Sequence, residues 1–557
     1  MVGSSWWSAV GLIAVLLVLW VWPGRHTERR WVVASLSVIV LLGLAHQLMF
    51  DTTAEDAFIT FRYARNLASG FGPVFNPGER VEGYSDFLWM IVLSVLNRFG
   101  IDIVLAARCL GSVAALLTVV LTYQLGCVVT KGDRPTSLSA ALLVAASGSF
   151  AAYGPSGMET PVFALLLVAT VLSTVRQRWC WAGLLVALAT MTRPEGILCL
   201  IPILGWALVT GKQRRERLRN ALGAAGAFGA LAVPWTLWRV AYYGYWIPNP
   251  IAAKRGLDSS YLLELGFRYL YEFGGAHVPL VILLAVVTAA AVVDRFRTVA
   301  PVDGLLAAFV LILVGFVVSV GGDWMPAWRM LAPIIPVASV LLLSLWREHV
   351  RWQPLATSAP LGRALFVVAA GVLVMTSRVH PNLIPRVVYW SQGIDAYEQI
   401  GEWFRRSLPP DTWVATIANG ALSYYSRLPM IDMMGLTDEH IARNGQRAPR
   451  GMLGHSAYDF AYVVRRRPQV VAFLGGVGFQ QEAFHGRPKK EFQAAYDVVP
   501  FRFPASASPL GRYVNLILLR SQKQRLVETL ARTAKVEVLS CVADQRGYLT
   551  CSEPGTD

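Results

Sequence analysis

A chain of 557 residues would ordinarily hold three or four soluble domains. Here 55% of residues are hydrophobic and only 15% charged, against about 25% charged in a soluble domain, and mean hydropathy is +0.47, so the chain belongs in a bilayer. Its Gly- and Pro-bounded apolar runs favour a helical bundle over an alternating barrel, and its net charge of +15 lies in short loops, the pattern of cytoplasmic loops rather than of a nucleic-acid surface.

Candidate spans run 6–22, 31–50, 103–128, 137–152, 161–176, 179–192, 197–210, 221–241, 276–293, 302–320, 331–346 and 361–377. That is about twelve crossings, within a range of about 11–13, because several runs fall short of the ~20 residues that cross a bilayer untilted. The first run resembles a signal anchor; without a charged flank or a small-residue cleavage site it reads as a span. The loops at 25–30, 131–134, 176–178, 211–219, 294–297 and 346–351 are short and basic, which predicts a cytoplasmic side. The loops 51–102, 153–160, 193–196, 242–275 and 321–330 then face outward, as does the tail from 378. The alternation closes if 87–96 (FLWMIVLSVL) lies at the interface, being too short to cross.

This predicts a membrane domain over 1–377 and an extracytoplasmic α/β domain over 378–557. The tail mixes helical patterning (396–408, 522–535) with β-rich runs (413–418, 470–474, 513–519). Cys109, Cys127, Cys180 and Cys199 sit in or beside apolar runs and read as small buried hydrophobes. Cys541 and Cys551, in the polar tail, suit a disulfide across a hairpin outside the cytoplasm.

The first outer loop, DTTAEDAFITFRYARNLASGFGPVFNPGERVEGYSDF, is the richest. Glu55 and Asp56 open a short amphipathic helix ending near Gly70, suited to the membrane surface. Two origins for the acid pair compete. Thr53 as N-cap would put Asp56 at the third helical position, a capping box. Two carboxylates above the membrane, with Arg62 following, also suit a general base. Glu79 and Glu82 read as solvated or structural. The next loops carry Glu159 (GPSGMETP) and Arg193 with Glu195 (TRPEG), where acids preceding helices also serve helix ends. Pro248-Asn249-Pro250 makes a rigid turn before Lys254, and GGDWMPAWRM packs Asp323, Trp324 and Arg329 into one tight loop. Together these charges share one side while the spans hold almost none, unlike an ion-coupled transporter. A site at the outer interface suits an enzyme acting on an amphiphilic substrate.

At these residues the chain resembles the GT-C glycosyltransferases, multispanning enzymes that use polyprenyl-phosphate sugars. The matching segments are Glu55–Tyr63, Asn76–Tyr84 and the short 87–96 helix. Within that class it is most similar to the actinobacterial terminal β-(1→2)-arabinofuranosyltransferases, through Gly157–Pro161, Arg193–Gly196, Pro248–Pro250 with Lys254, Gly321–Met325 with Arg329, and Ile431–Asp438 in the tail. Its acid pair is Glu-Asp where many relatives have Asp-Asp.

The resemblance implies a decaprenyl-phosphate sugar donor, arabinofuranose, and a glycan acceptor in the cell envelope, at the plasma membrane. Asp56, with Glu55 beside it, is the expected base for an inverting transfer. Lys254 and Arg329 are expected to stabilise the departing phosphate, with Arg62 and Arg193 behind them. Glu159, Glu195 and Asp323 would orient sugar hydroxyls or hold those cations; Tyr63, Asn249 and Trp324 complete the expected substrate contacts. A divalent cation would suit so many acids, but no ligand spacing demands one, and no other cofactor is implied. The competing readings are a GT-C transferase for mannose or aminoarabinose and a lipid-linked sugar transporter, which would need a polar path through the spans. A structural envelope protein leaves the outer-loop charges unexplained.

Overall fold

The computed structural model describes residues 2–21, 29–293, 300–350, 353–357, 359–451, 453–454, 456–473, 494–503, 513–533, 536–543 and 549–552. The basic loop 294–297 and most of 25–30 lie outside these residues. Apolar runs rich in Leu, Val and Ala become helices α1 (Val2–Val21), α2 (Arg29–Leu48), the short α3 (Ala57–Ala68) and α4 (Phe87–Arg98), then α5 (Ile103–Val129), α6 (Arg134–Ala146), α7 (Gly148–Tyr153), α8 (Thr160–Val175), α9 (Trp179–Thr192) and α10 (Leu200–Thr210). They continue through α11 (Arg214–Tyr243), α12 (Asn249–Ala253), α13 (Ser259–Ala276), α14 (Val278–Val293), α15 (Pro301–Ser319), α16 (Ile335–His349) and α17 (Pro360–Val379). Starts are marked by local chemistry: Asp102 and Asp133 accept the N–H groups of Leu105 (2.9 Å) and Thr136 (3.2 Å), and Pro135 occupies the first turn of α6.

The predicted apolar runs fall on these helices, with 137–152 divided between α6 and α7 at Ser147 and with 197–210 and 331–346 beginning in short 3-10 turns. Six stretches are long and apolar enough to cross a membrane by themselves: Arg29–Leu48, Ile103–Val129, Arg214–Tyr243, Pro301–Ser319, Pro326–His349 and Pro360–Val379. A seventh arises if α13 and α14, bent by 99° at His277, count as one span. The chain is a multi-pass membrane protein. Helix α4, with 12 residues, is about 18 Å long, short of the ~30 Å hydrocarbon core.

Helix α6 stands at the centre, buried from Thr136 to Ala146 among α2, α5, α16 and α17. Its Ala- and Ser-rich sequence permits close approach: a Cβ on Gly126 of α5 would lie 3.0 Å from the Ser137 backbone. Helices α9 and α11 pack still closer, for a Cβ on Gly183 would meet the Ala224 carbonyl at 2.0 Å. The expected burial of cysteines holds only for Cys199. Cys109 and Cys180 are exposed on the outer faces of their helices, and Cys127 is intermediate, because apolar runs in a bundle turn one face to lipid.

After α17 the chain enters α18 (Ile384–Ser407), which carries it into the tail. There β1 (Val414–Thr416), α19 (Ala421–Ser426), β2 (Met430–Asp432), α20 (Glu439–Asn444), β3 (Gln446–Arg447), β4 (Ala457–Tyr458), α21 (Phe460–Arg466), β5 (Val470–Phe473), β6 (Tyr496–Arg502), β7 (Tyr513–Leu519), α22 (Lys523–Thr533), β8 (Glu537–Val538), β9 (Ser540–Ala543) and β10 (Leu549–Ser552) follow. Six strands form one sheet in the order β2-β1-β5-β7-β6-β8, parallel among β2, β1 and β5 and antiparallel beyond. The mixed α/β character expected of the tail is present. β9 and β10 form a hairpin in which Cys541 stands opposite Cys551.

Candidate active site

The site forms where five loops and the tail meet at one end of the bundle. In the first loop, Ala54 N–H donates to Ser156 O at 2.8 Å, pinning it to the loop before α8. The start of α3 is closed by backbone bonds, Ala57 N to Ala54 O at 3.2 Å and Phe58 N to Glu55 O at 3.1 Å. The capping box expected from Thr53 does not form: Asp56 takes the N-cap position in helical geometry (φ −61°, ψ −25°), and its carboxylate makes no capping bond. Freed of that task, the half-buried Asp56 side chain has no hydrogen-bond partner among the described residues.

Around it stand two anchored arginines. Arg193 Nη1 donates to Glu159 Oε1 at 2.7 Å, and its Nε to Glu195 Oε1 at 2.5 Å. Arg329 Nε donates to Asp323 Oδ2 at 2.6 Å. All five side chains are nearly buried. Burial opposes ionisation of Asp323, but Arg329, Lys254 and Arg193 together hold its carboxyl below the ordinary range. Glu159 and Glu195 thus brace a guanidinium rather than cap helices.

Lys254 lies on the turn after α12, within electrostatic reach of Arg329, Asp323, Asp56 and Arg193. Protein surrounds it on several sides although it still reaches solvent. Enclosure and the neighbouring Arg329 lower its pKa. No hydrogen-bonded partner is found for it among the described residues. Asp56 and Lys254 are therefore a carboxylate and an ammonium left unpaired within reach of each other, while the cations around them are neutralised.

Four predicted contact residues are engaged within the protein. Arg62, 2% exposed, donates to the backbone oxygens of Phe75 (2.8 Å), Ser423 (2.8 Å) and Leu428 (2.7 Å) and to Asn76 Oδ1 (3.0 Å). Its donors are spent on the loop and the tail, so it acts as a strut between them. Tyr63 is fully buried, donating to Val81 O at 2.6 Å and accepting from Gly83 N at 2.9 Å. Asn249 Nδ2 donates to the carbonyls of Gly435 (2.8 Å) and Asp438 (3.0 Å), docking the proline turn on Ile431–Asp438. Trp324, beside Asp323, packs at 4.8 Å between ring centroids on Trp390 of α18.

Three further buried acids lie near the site, and of these Asp86 carried no legible signal of its own. Asp86, at the start of α4, accepts from Thr60 Oγ1 at 3.0 and 2.9 Å, and burial plus the nearby Glu159 push its carboxyl up to about 7. Only its place in the same outer loop could have flagged it. Glu82 forms a buried pair with Arg239 at 2.7 Å, structural as expected; burial pushes its carboxyl up to about 7. Asp432 accepts Thr437 N at 2.7 Å and Met434 N at 2.9 Å, and burial pushes it up to about 6. Among the described residues no group of three His, Cys, Asp or Glu is arranged to hold a metal ion.

Comparison with known proteins places this geometry. Residues 87–238 match the family model described as dolichyl-phosphate-mannose-protein mannosyltransferase, and residues 388–526 a domain of unknown function. The chain is 28% identical over 410 residues to the terminal β-(1→2)-arabinofuranosyltransferase of Mycobacterium tuberculosis, covering 63% of this chain and 59% of that protein. It is 26% identical over 344 residues to the protein of the same name from Corynebacterium glutamicum, covering 51% and 46%. The alignments thus span about half the length of these curated relatives. The crystal structure of ArnT from Cupriavidus metallidurans bound to undecaprenyl phosphate superposes with a TM-score of 0.55 at 14% identity, over 89% of this chain and 99% of that one. Its apo form gives 0.54. The chain has the GT-C fold and is related to the terminal β-(1→2)-arabinofuranosyltransferases, as its motifs led us to expect.

Proposed function

We propose that this protein transfers a sugar, arabinofuranose, from a polyprenyl (decaprenyl) phosphate to a glycan acceptor of the cell envelope, with inversion, on the outer face of the plasma membrane. The observation that carries this reading is the couple of Asp56 and Lys254, a carboxylate and an ammonium within electrostatic reach of each other and without hydrogen-bond partners among the described residues. The acceptor hydroxyl attacks the anomeric carbon, its oxygen bonding to C1 as the bond from C1 to the phosphate oxygen breaks. Asp56 takes the hydroxyl proton, and Lys254 meets the charge growing on the departing lipid phosphate. Arg329 and Arg193 are each held by acids and are not free to move. No step calls on a cofactor. The relatives' names support arabinofuranose. The mannosyltransferase match over 87–238 makes a mannosyl donor the second reading.

The test is turnover of lipid-phosphate sugars by purified protein. Arabinofuranosyl donor should be consumed and mannosyl donor not; the reverse would install the second reading. Folded Asp56→Asn should lose about 10²–10⁴ in rate with donor binding retained, the worth of a positioned base. Near-normal turnover by Asp56→Asn would end its assignment as base.

A further inference from the structure

Glu55 and Asp56 are adjacent in sequence but serve opposite partners. Asp56 has no hydrogen-bond partner among the described residues. Glu55 turns to the tail, where its Oε1 accepts Gly420 N–H at 2.6 Å and the Ala421 amide also faces it. The approach is close enough to dictate the residue on the far side. A Cβ on Gly420 would fall 2.0 Å from Glu55 O and 2.6 Å from its Oε1, so only glycine fits. The same stretch of tail holds the next turns of α3: Ser423 O and Leu428 O accept from Arg62, and Tyr424 O accepts from Arg65 at 2.7 Å. The tail segment 420–428 thus grips α3 from its first turn to its third, and the grip begins one residue before Asp56.

We propose that Glu55 is a positioning residue: a latch through which the β1–α19 turn of the tail fixes the backbone carrying Asp56. The inference rests on the reading of Asp56 as base. It divides the acid pair into one group that handles the proton and one that holds it in register, and it makes the tail part of the catalytic apparatus. Burial and the neighbouring Asp56 push the Glu55 carboxyl up to about 8, so near neutral pH it is chiefly the neutral acid. An amide is a close mimic of that form and keeps an oxygen for Gly420.

The experiment compares full-length Glu55→Gln, Glu55→Ala, Gly420→Ala and the double variant Glu55→Ala/Gly420→Ala. Two readouts are taken: amide hydrogen exchange over residues 419–426, and sugar transfer split into kcat and donor KM. Glu55→Gln should keep the exchange protection and turn over within about threefold of the unmodified protein. Glu55→Ala and Gly420→Ala should each lose protection and lower kcat by about 10²-fold, the scale of a small misplacement of a reacting group, with donor KM unchanged. The double variant should be no worse than either single, since both break one contact. Loss of turnover in Glu55→Gln as deep as in Asp56→Asn, with 419–426 still protected, would overturn the latch and make Glu55 the proton acceptor. Full protection and turnover in Glu55→Ala would overturn it as well. If the exchange pattern follows the latch while the unmodified protein transfers no sugar from any lipid phosphate, the latch stands and the assigned reaction fails.

Discussion

At the scale of the residue, the site separates charges that are braced from charges that are available. Arg193 takes two carboxylates and Arg329 one, whereas Lys254 and Asp56 take none among the described residues. Asp86 belongs to the braced set at an energetic cost. A carboxyl that titrates near about 4 in the unfolded chain is held up to about 7 in the fold. Between those values the folded state binds more protons than the unfolded one, so stability falls as pH rises through the window, and the whole cost is present above it. Asp86→Asn keeps an acceptor for Thr60 and removes the charge. Its apparent melting temperature should exceed that of the unmodified protein at about pH 8, and the gap should close by about pH 5. A gap independent of pH would assign the effect to packing instead. That Glu195 and Asp323 could hold the cations of their own loops was readable from the sequence, whereas the pairing of Glu159 with Arg193 joins loops 34 residues apart and was not. That these charges would share a site was readable, since each ends an apolar run on the same side.

At the scale of the element, apolar composition located the bundle helices, and chemistry of another kind hid the remainder. Helix α13 was not foreseen because Glu264, Arg268 and Glu272 interrupt its apolar face; Leu263, Phe267 and Tyr271 are exposed along it. Strand β6 contains Pro500, which cannot donate to a ladder, and so did not read as a strand, yet it pairs with β7 along its whole length. Contact between helices rests on glycines whose role only the packing reveals. Gly183→Ala would drive a methyl into the Ala224 carbonyl and should cost about 1–3 kcal/mol. Gly226, on α11 with nothing within 4 Å, should accept alanine and gain up to about 1 kcal/mol of helix propensity. Thermal unfolding of the two variants in detergent checks the contrast; equal effects would show that the α9–α11 contact is not tightly packed.

At the scale of the whole molecule, the tail is bound to the membrane portion by specific polar contacts. Asn76 pairs with both backbone groups of Met430, at 3.0 and 2.8 Å, and Arg466 approaches Glu79 at 3.4 Å. The placement of the tail outside the cytoplasm, proposed from the alternation of basic loops, carries a chemical corollary. Cys541 and Cys551, opposite in their hairpin, should form a disulfide worth roughly 2–3 kcal/mol, and unreduced peptide mapping should find them joined. Two free thiols in protein from an oxidising compartment would remove that bond and weaken the outward placement.

The grip of the tail on α3 also sets an order of events during synthesis. Arg62 and Leu428 are 366 residues apart in the chain, with most of the bundle between them. When the first loop has just been made, the carbonyls and amides of the tail that will hold it do not yet exist. A ribosome-bound intermediate therefore carries Asp56 on a segment that lacks the tail's contacts and gains them only when the tail folds against it. A chain stalled before residue 420 therefore lacks every one of these contacts to α3 and Glu55.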